Sequence, residues 1–404
     1  MLIIAPEDVR PGMKLAAAVP HPDNPEQHLL KGGYILEAAV IGRLREMRID
    51  QVYVEYPALD DLDRHLVPNL SPARRAIYFQ IRDAVTTTQR VTRAALPYAQ
   101  YCNTTRQLIT TLMDQGQHPI FLDQMARRGE DAVGHAAAVA HLSLMLGLTL
   151  EQYLIDQRKR LPPHKARDVV NLGVAAMLHD IGKCALPDDL HAYSEVDPPA
   201  HTGLLDQWRA HAQIGYEMVR EHVEPTAAAA ILHHHRHFDG GEFACGTGSE
   251  SDDHKAATPC KSKPPITNAR VPIHVFARII HAANLYDRLA TSLPNRRRSN
   301  LEVLHRIRGQ HDGWLDPIIL RALESIAPPF PPGTKLSLTD GSDAVVIRLD
   351  PADPYFPVVR RLAGTELRFQ GEPIDLREHG SPRIRQIGPV QIASFMPRRT
   401  LTCA

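Results

Sequence analysis

The sequence predicts a mainly α protein: a helical bundle core between a small α+β N-terminal domain and a small β-rich C-terminal domain. Three observations predict it. Apolar residues recur at helical spacing through residues 72–326. The run Pro328-Pro329-Phe330-Pro331-Pro332-Gly333 ends that period, and a period of two follows it. Before residue 57, short apolar runs are punctuated by Pro and Gly. A length of 404 residues suits two or three such units.

Taken in order, Val9-Arg10-Pro11-Gly12-Met13 reads as a strand entering a turn. Leu29 to Leu36 reads as a hairpin with Gly32-Gly33 at its turn. Ile41, Leu44 and Met47 mark one face of a helix over 36–47, and Val52-Tyr53-Val54 reads as a closing strand. Residues 1–56 thus make the first domain, and 57–71, rich in Pro and acidic residues, a linker. Ser71 suits a helix N-cap and Pro72 the first helical position. Within the helical domain, 72–326, the basic stretch 157–168 reads as a surface excursion. Residues 244–270, rich in Gly, Ser, Thr, Pro and Lys, read as a flexible insertion. In the last domain, 333–404, Leu336 to Leu338 and Val345 to Leu349 flank the turn Asp340-Gly341 as a hairpin. Val358-Val359 and Leu367-Arg368-Phe369 continue the strand pattern.

Composition narrows the function. Lys plus Arg number 46 and Asp plus Glu number 46, so the net charge is zero and bulk binding to DNA or an acidic membrane is excluded. Five scattered cysteines form no C-x-x-C pair, which argues against a disulfide framework and for a reducing, cytoplasmic setting. The N-terminus has no signal-peptide pattern. The longest weakly polar stretch, His135 to Leu150, reads as too short to span a bilayer.

Histidine, with 22 residues, is the outlier. Asp131 and His135 stand at i and i+4, on one helix face. His179-Asp180-Ile181-Gly182-Lys183 follows the apolar run Val174 to Leu178. His211 lies four residues before Gly215, and His233-His234-His235 precede Asp239-Gly240. A bundle that converges His135, His179, Asp180, His211, His234 and His235 would hold Fe-, Mn- or Ni-type ions, for which neutral imidazole plus carboxylate is a suitable donor set. A carboxylate has two oxygens and can bridge two ions. Such a centre polarises phosphoryl oxygens and activates water.

This order of motifs resembles the HD-GYP family of the HD phosphohydrolase superfamily, over most of the chain. The resemblance implies a metal-dependent phosphodiesterase that hydrolyses the second messenger cyclic di-GMP through a metal-bound hydroxide, using two or three divalent ions. It implies metal ligands at Asp131, His135, His179, Asp180, His211, His234, His235 and Asn284. Asp180 would be the bridging carboxylate, and Lys183 would act in catalysis and on the substrate phosphate. Arg288, Arg296, Arg297 and Arg298 fall where the family places phosphate-binding basic residues. The implied partners are cyclic di-GMP or a related nucleotide, a signalling protein and a second copy of the chain, with neither DNA nor membrane.

Three departures keep other readings open. Arg236 replaces the Glu of the family's HHE, the GYP element reads Glu242-Phe243-Ala244, and Asn284 replaces an Asp, with Asp287 kept. The alternatives are a catalytically degenerate sensor or scaffold for cyclic di-GMP, and an HD phosphohydrolase with another phosphate-ester substrate.

Overall fold

The computed structural model describes residues 2–4, 6–21, 24–47, 49, 52–56, 70–90, 96–114, 132–240, 273–293, 298–350, 353–363, 368–388, 390–392 and 394–396. The linker 57–69 and the insertion 244–270 lie outside the described residues, as do Asp131, the Glu242-Phe243-Ala244 element, Arg296 and Arg297.

The N-terminal domain is built from strands β1 (Leu2–Ile4), β2 (Val19–His21), β3 (Asn24–Leu30) and β4 (Val52–Val54), with helix α1 (Ala38–Glu46). β1 pairs antiparallel with β4, and β2 with β3. Ile41 and Leu44 are buried on one face of α1, as the spacing required. Two expectations fail here. Val9 to Met13 is turn rather than strand, because Gly12 adopts φ +92° and reverses the chain after Pro11. Gly32-Gly33 does form a turn, but the arm after it pairs with residues 13–15. Gly33 donates to Leu15 O, Leu15 to Tyr34 O, and Leu36 to Met13 O. β3 instead takes β2 as its partner.

The helical body comprises α2 (Leu70–Arg90), α3 (Tyr98–Asp114), α4 (Ala132–Thr149), α5 (Glu151–Gln157), α6 (Pro163–Ala166), α7 (Val170–Leu178), α8 (Thr202–Arg209), α9 (His211–Val219), α10 (Pro225–His233), α11 (Val275–Thr291), α12 (Asn300–Gln310) and α13 (Pro317–Ile326). α2 already includes Leu70, so Ser71 lies inside its first turn rather than at its cap. The starts of α10, α12 and α13 carry side-chain caps from Glu224, Ser299 and Asp316, which satisfy N–H groups that have no intrahelical partner. α4 is apolar all round and buried at most positions. By length and composition it could cross a membrane, contrary to the expectation from His135 to Leu150. In this fold it is a core helix, and 67% of it is buried. In the basic stretch, Arg158 donates to the carbonyls of Lys165, Ala166 and Asp168 and covers the Phe276 ring.

The C-terminal domain is one six-stranded antiparallel sheet in the order β10-β9-β5-β6-β7-β8. Its strands are β5 (Lys335–Leu338), β6 (Asp343–Arg348), β7 (Val358–Ala363), β8 (Arg368–Asp375), β9 (Ile384–Ile387) and β10 (Val390–Gln391). The hairpin turns at Gly341, φ +85°. The two ends of the chain share a core: Val345 and Leu362 pack with Leu2, Ile4, Leu15, Leu36 and Val54. Ile3 donates to Gly333 O at 2.9 Å, and Lys335 reaches Asp8 at 3.4 Å. The sheet meets the helical body through Leu301 of α12 and Phe330, both fully buried.

Candidate metal centre

The helices place five histidines around one carboxylate. His179 caps the C-terminus of α7, and Asp180 follows it into the 3-10 turn Ile181–Ala185. His211 opens α9, and His234 caps the C-terminus of α10 with His235 beside it. His135 comes from the first turn of α4. Two glycines set the approach of the HD turn to α9. A Cβ on Gly182 would meet His211 O at 2.0 Å and Gly215 N at 2.5 Å. The spacing His211-x3-Gly215 therefore does two things, supplying a ring and leaving room one turn later for the HD turn.

The orientation of the rings decides their chemistry. His179 Nδ1 sits 2.9 Å from Ala176 O, His211 Nδ1 2.5 Å from Trp208 O, and His234 Nδ1 2.6 Å from Ile231 O. A carbonyl can only accept, so each Nδ1 carries the proton and each Nε2 presents a lone pair. His135 Nδ1 lies 2.7 Å from Asp287 Oδ2, and His235 Nδ1 meets Glu195 Oε2, which imposes the same tautomer. All five Nε2 lone pairs then face Asp180 or each other. Asp180 Oδ1 is 3.4 Å from His211 Nε2 and 3.7 Å from His234 Nε2. Oδ2 is 3.5 Å from His179 Nε2 and 3.8 Å from His135 Nε2.

Lone pairs turned on a carboxylate repel unless a cation lies between them. The buried Nε2 atoms of His135, His179 and His234, Asp180 Oδ1 and Asn284 Oδ1 all lack a hydrogen-bond partner, and such orphans are costly. His211 Nε2 and His235 Nε2 are 3.2 Å apart, roughly the separation of two neighbouring ligands bound at about 2.1 Å to one ion. The donor atoms fall into two groups that share Asp180: one with His211, His234 and His235, the other with His135 and His179. The residues therefore fit divalent metal on both sides of a bridging carboxylate.

The protonation states agree. Burial pulls His135 down to about 4 and His235 to about 3, and holds His179 and His211 well below the usual range. Those four rings are neutral at pH 7, as a metal ligand must be. Burial alone would push the Asp180 carboxyl up, but the Lys183 ammonium beside it holds it well below the usual carboxylate range. Lys183 Nζ lies 2.9 Å and Arg288 Nη2 3.1 Å from Asp180 Oδ2.

Other predicted residues fall in different places. Asn284 is buried on α11, at i−3 and i−4 from Asp287 and Arg288, and so shares the face that those two turn to the centre. His233 is half-buried and outside both groups. Arg298 does other work: it donates to Leu289 O at 2.6 Å and to Ser292 Oγ, tying down the end of α11. Glu195 carried no sequence signal for a role, and Asp287 was read only as the Asp kept beside Asn284. Glu195 lies in the loop before α8, buried, accepting from His235 Nδ1 and lying 2.9 Å from His281 Nε2. Asp287 orients His135. These carboxylates set tautomer and ring direction behind the ligands.

Comparison with known proteins agrees with this geometry. A family model described as "HD domain" matches residues 133–289. Over those residues the chain is similar to the HD domain. The match spans His135, His179, Asp180, His211, His234, His235, Asn284 and Arg288, so it covers the described centre. A curated protein of Pseudomonas aeruginosa named as a cyclic di-GMP phosphodiesterase is 25% identical over 343 residues, 78% of this chain and 74% of that one. A protein of Xanthomonas campestris named as a cyclic di-GMP phosphodiesterase response regulator is 24% identical over 281 residues. That match covers 68% of this chain and 63% of the relative. A solved structure described as an HDG"Y"P protein from Bdellovibrio bacteriovorus overlays at 16% identity and TM-score 0.38, covering 80% of this chain and 98% of that one.

Proposed function

We propose that this protein is a metal-dependent phosphodiesterase of the HD-GYP type and that its substrate is cyclic di-GMP. The observation that carries the reading is the ring of Nε2 lone pairs around Asp180, in an HD domain whose curated relatives bear that activity in their names. When bound, divalent ions of the Fe, Mn or Ni type would polarise a phosphoryl oxygen and make water a better nucleophile. His135 and His179 would hold one ion and His211, His234 and His235 another, with Asp180 shared between them. Asp287 and Glu195 keep the Nδ1 protons in place. Lys183 and Arg288, both within hydrogen-bond reach of Asp180, offer the cations that steady a phosphodiester.

The test is turnover of cyclic di-GMP by protein loaded with Mn or Fe. His179→Ala and Asp180→Ala should each lower turnover on the order of 10³-fold, about 4 kcal/mol of barrier. Hydrolysis that persists in both variants would sink the assignment. A second reading, binding without turnover, is favoured by one observation: Asn284 puts a neutral amide where a charged ligand would hold an ion more firmly. Protein that binds cyclic di-GMP yet neither retains metal nor hydrolyses the nucleotide when Mn or Fe is supplied would establish that reading.

A further inference from the structure

Asp180 divides the centre into two halves that differ in what already sits on each oxygen. Oδ1 has no hydrogen-bond partner and faces only the lone pairs of His211 and His234. Oδ2 faces the lone pairs of His135 and His179, but Lys183 Nζ and Arg288 Nη2 also reach it, at 2.9 and 3.1 Å. Each half has one carboxylate behind a histidine: Glu195 behind His235, and Asp287 behind His135. Those contributions balance. The imbalance is the pair of cations on Oδ2, with the neutral Asn284 on the same face of α11.

The two cations differ in freedom. Lys183 belongs to the 3-10 turn that also carries Ile181 and Gly182, three residues from Asp180, and its ammonium is held there by the local chain. Arg288 comes from another helix, at the end of a long side chain that is 12% exposed. Its guanidinium reaches Asp180 across two elements and is not fixed there by the local turn. An ion entering the His135–His179 half would stand a few Å from that guanidinium, with little water between like charges.

We propose that Arg288 competes with the metal for Asp180 Oδ2, so that the two halves load unequally. The His211–His234–His235 half fills first. The His135–His179 half fills only as Arg288 swings off the bridging carboxylate, and the released guanidinium is then available to a phosphate oxygen. The inference rests on reading the cluster as a metal centre, and it concerns how that centre loads rather than whether it exists.

The experiment is a titration of the metal-free full chain with Mn(II), reading free ion by electron paramagnetic resonance. Two classes of site are expected, the second at least about tenfold weaker than the first. Arg288→Gln and Arg288→Met should each strengthen the second class about tenfold and leave the first unchanged, which also shows that the variants are folded. Asn284→Asp should strengthen the same class from a different side chain. Two equal sites in the wild-type chain would overturn the proposal, as would Arg288 variants that leave the second class unaltered or lose the first. Binding of no ion at all would overturn both the proposal and the reading of the cluster as a metal centre.

Discussion

The helical body and the β-rich assembly bury their interiors in opposite ways. The core shared by the two chain ends is made of Leu2, Ile4, Leu15, Leu36, Val54, Val345 and Leu362, with no buried charge among them. The helical body surrounds its apolar cluster with a fully buried His179, His211 and His234, a buried Glu195 and a nearly buried Asp180. The first interior gains free energy from every side chain it covers. The second gives some back, because it holds lone pairs that nothing among the described residues satisfies. The core of the chain ends therefore carries stability alone, whereas the helical body carries both a large apolar core of its own and the chemistry.

Three substitutions probe that difference. Leu2→Ala should cost about 2–5 kcal/mol, since a fully buried leucine leaves a cavity between the chain ends. Urea denaturation reads the loss, and metal bound per folded chain should stay at the wild-type value. A fall in metal content alongside the stability would mean that the two regions are coupled. Glu195→Gln should weaken metal binding about 10- to 100-fold, because a neutral amide has one acceptor oxygen in place of the two that serve His235 and His281. Calorimetric titration measures it, and the melting temperature of the metal-free protein should change little by comparison. The smallest effect belongs to Arg298→Ala, which removes hydrogen bonds at the end of α11 and should cost about 1 kcal/mol. Cyclic di-GMP turnover should be unaltered. A loss of turnover there would return Arg298 to the substrate site.

Part of this was legible in the chain before any coordinates. Helical periodicity located the body, the proline run at 328–332 located its end, and the order of histidines marked the site. What escaped was set by long-range contact. The sequence around Glu195, Ser194-Glu195-Val196-Asp197, has no spacing that distinguishes it from any polar loop; its role appears only when the fold brings it to His235 and His281. The pairing of residues 13–15 with 34–36 was hidden because a glycine turn shows where a chain reverses and not which neighbour the returning arm meets. The union of the first strand with the last sheet joins residues more than three hundred positions apart, beyond the reach of any local pattern. The contacts of Arg298 with Leu289 and Ser292 were hidden for the reverse reason. A basic run looks alike in sequence whether it meets phosphate or a helix end.

The carbonyls that fix the histidine tautomers have a further consequence. Ala176, Trp208 and Ile231 lie in the last turns of α7, α8 and α10. Three helices thus aim their C-terminal ends at one point, each carrying up to about half a negative charge. These ends put negative potential behind the histidine rings, where it favours a cation, while Lys183 and Arg288 supply the positive charge at Asp180 itself. The directions of the helices thus contribute to cation affinity without any further carboxylate from the chain.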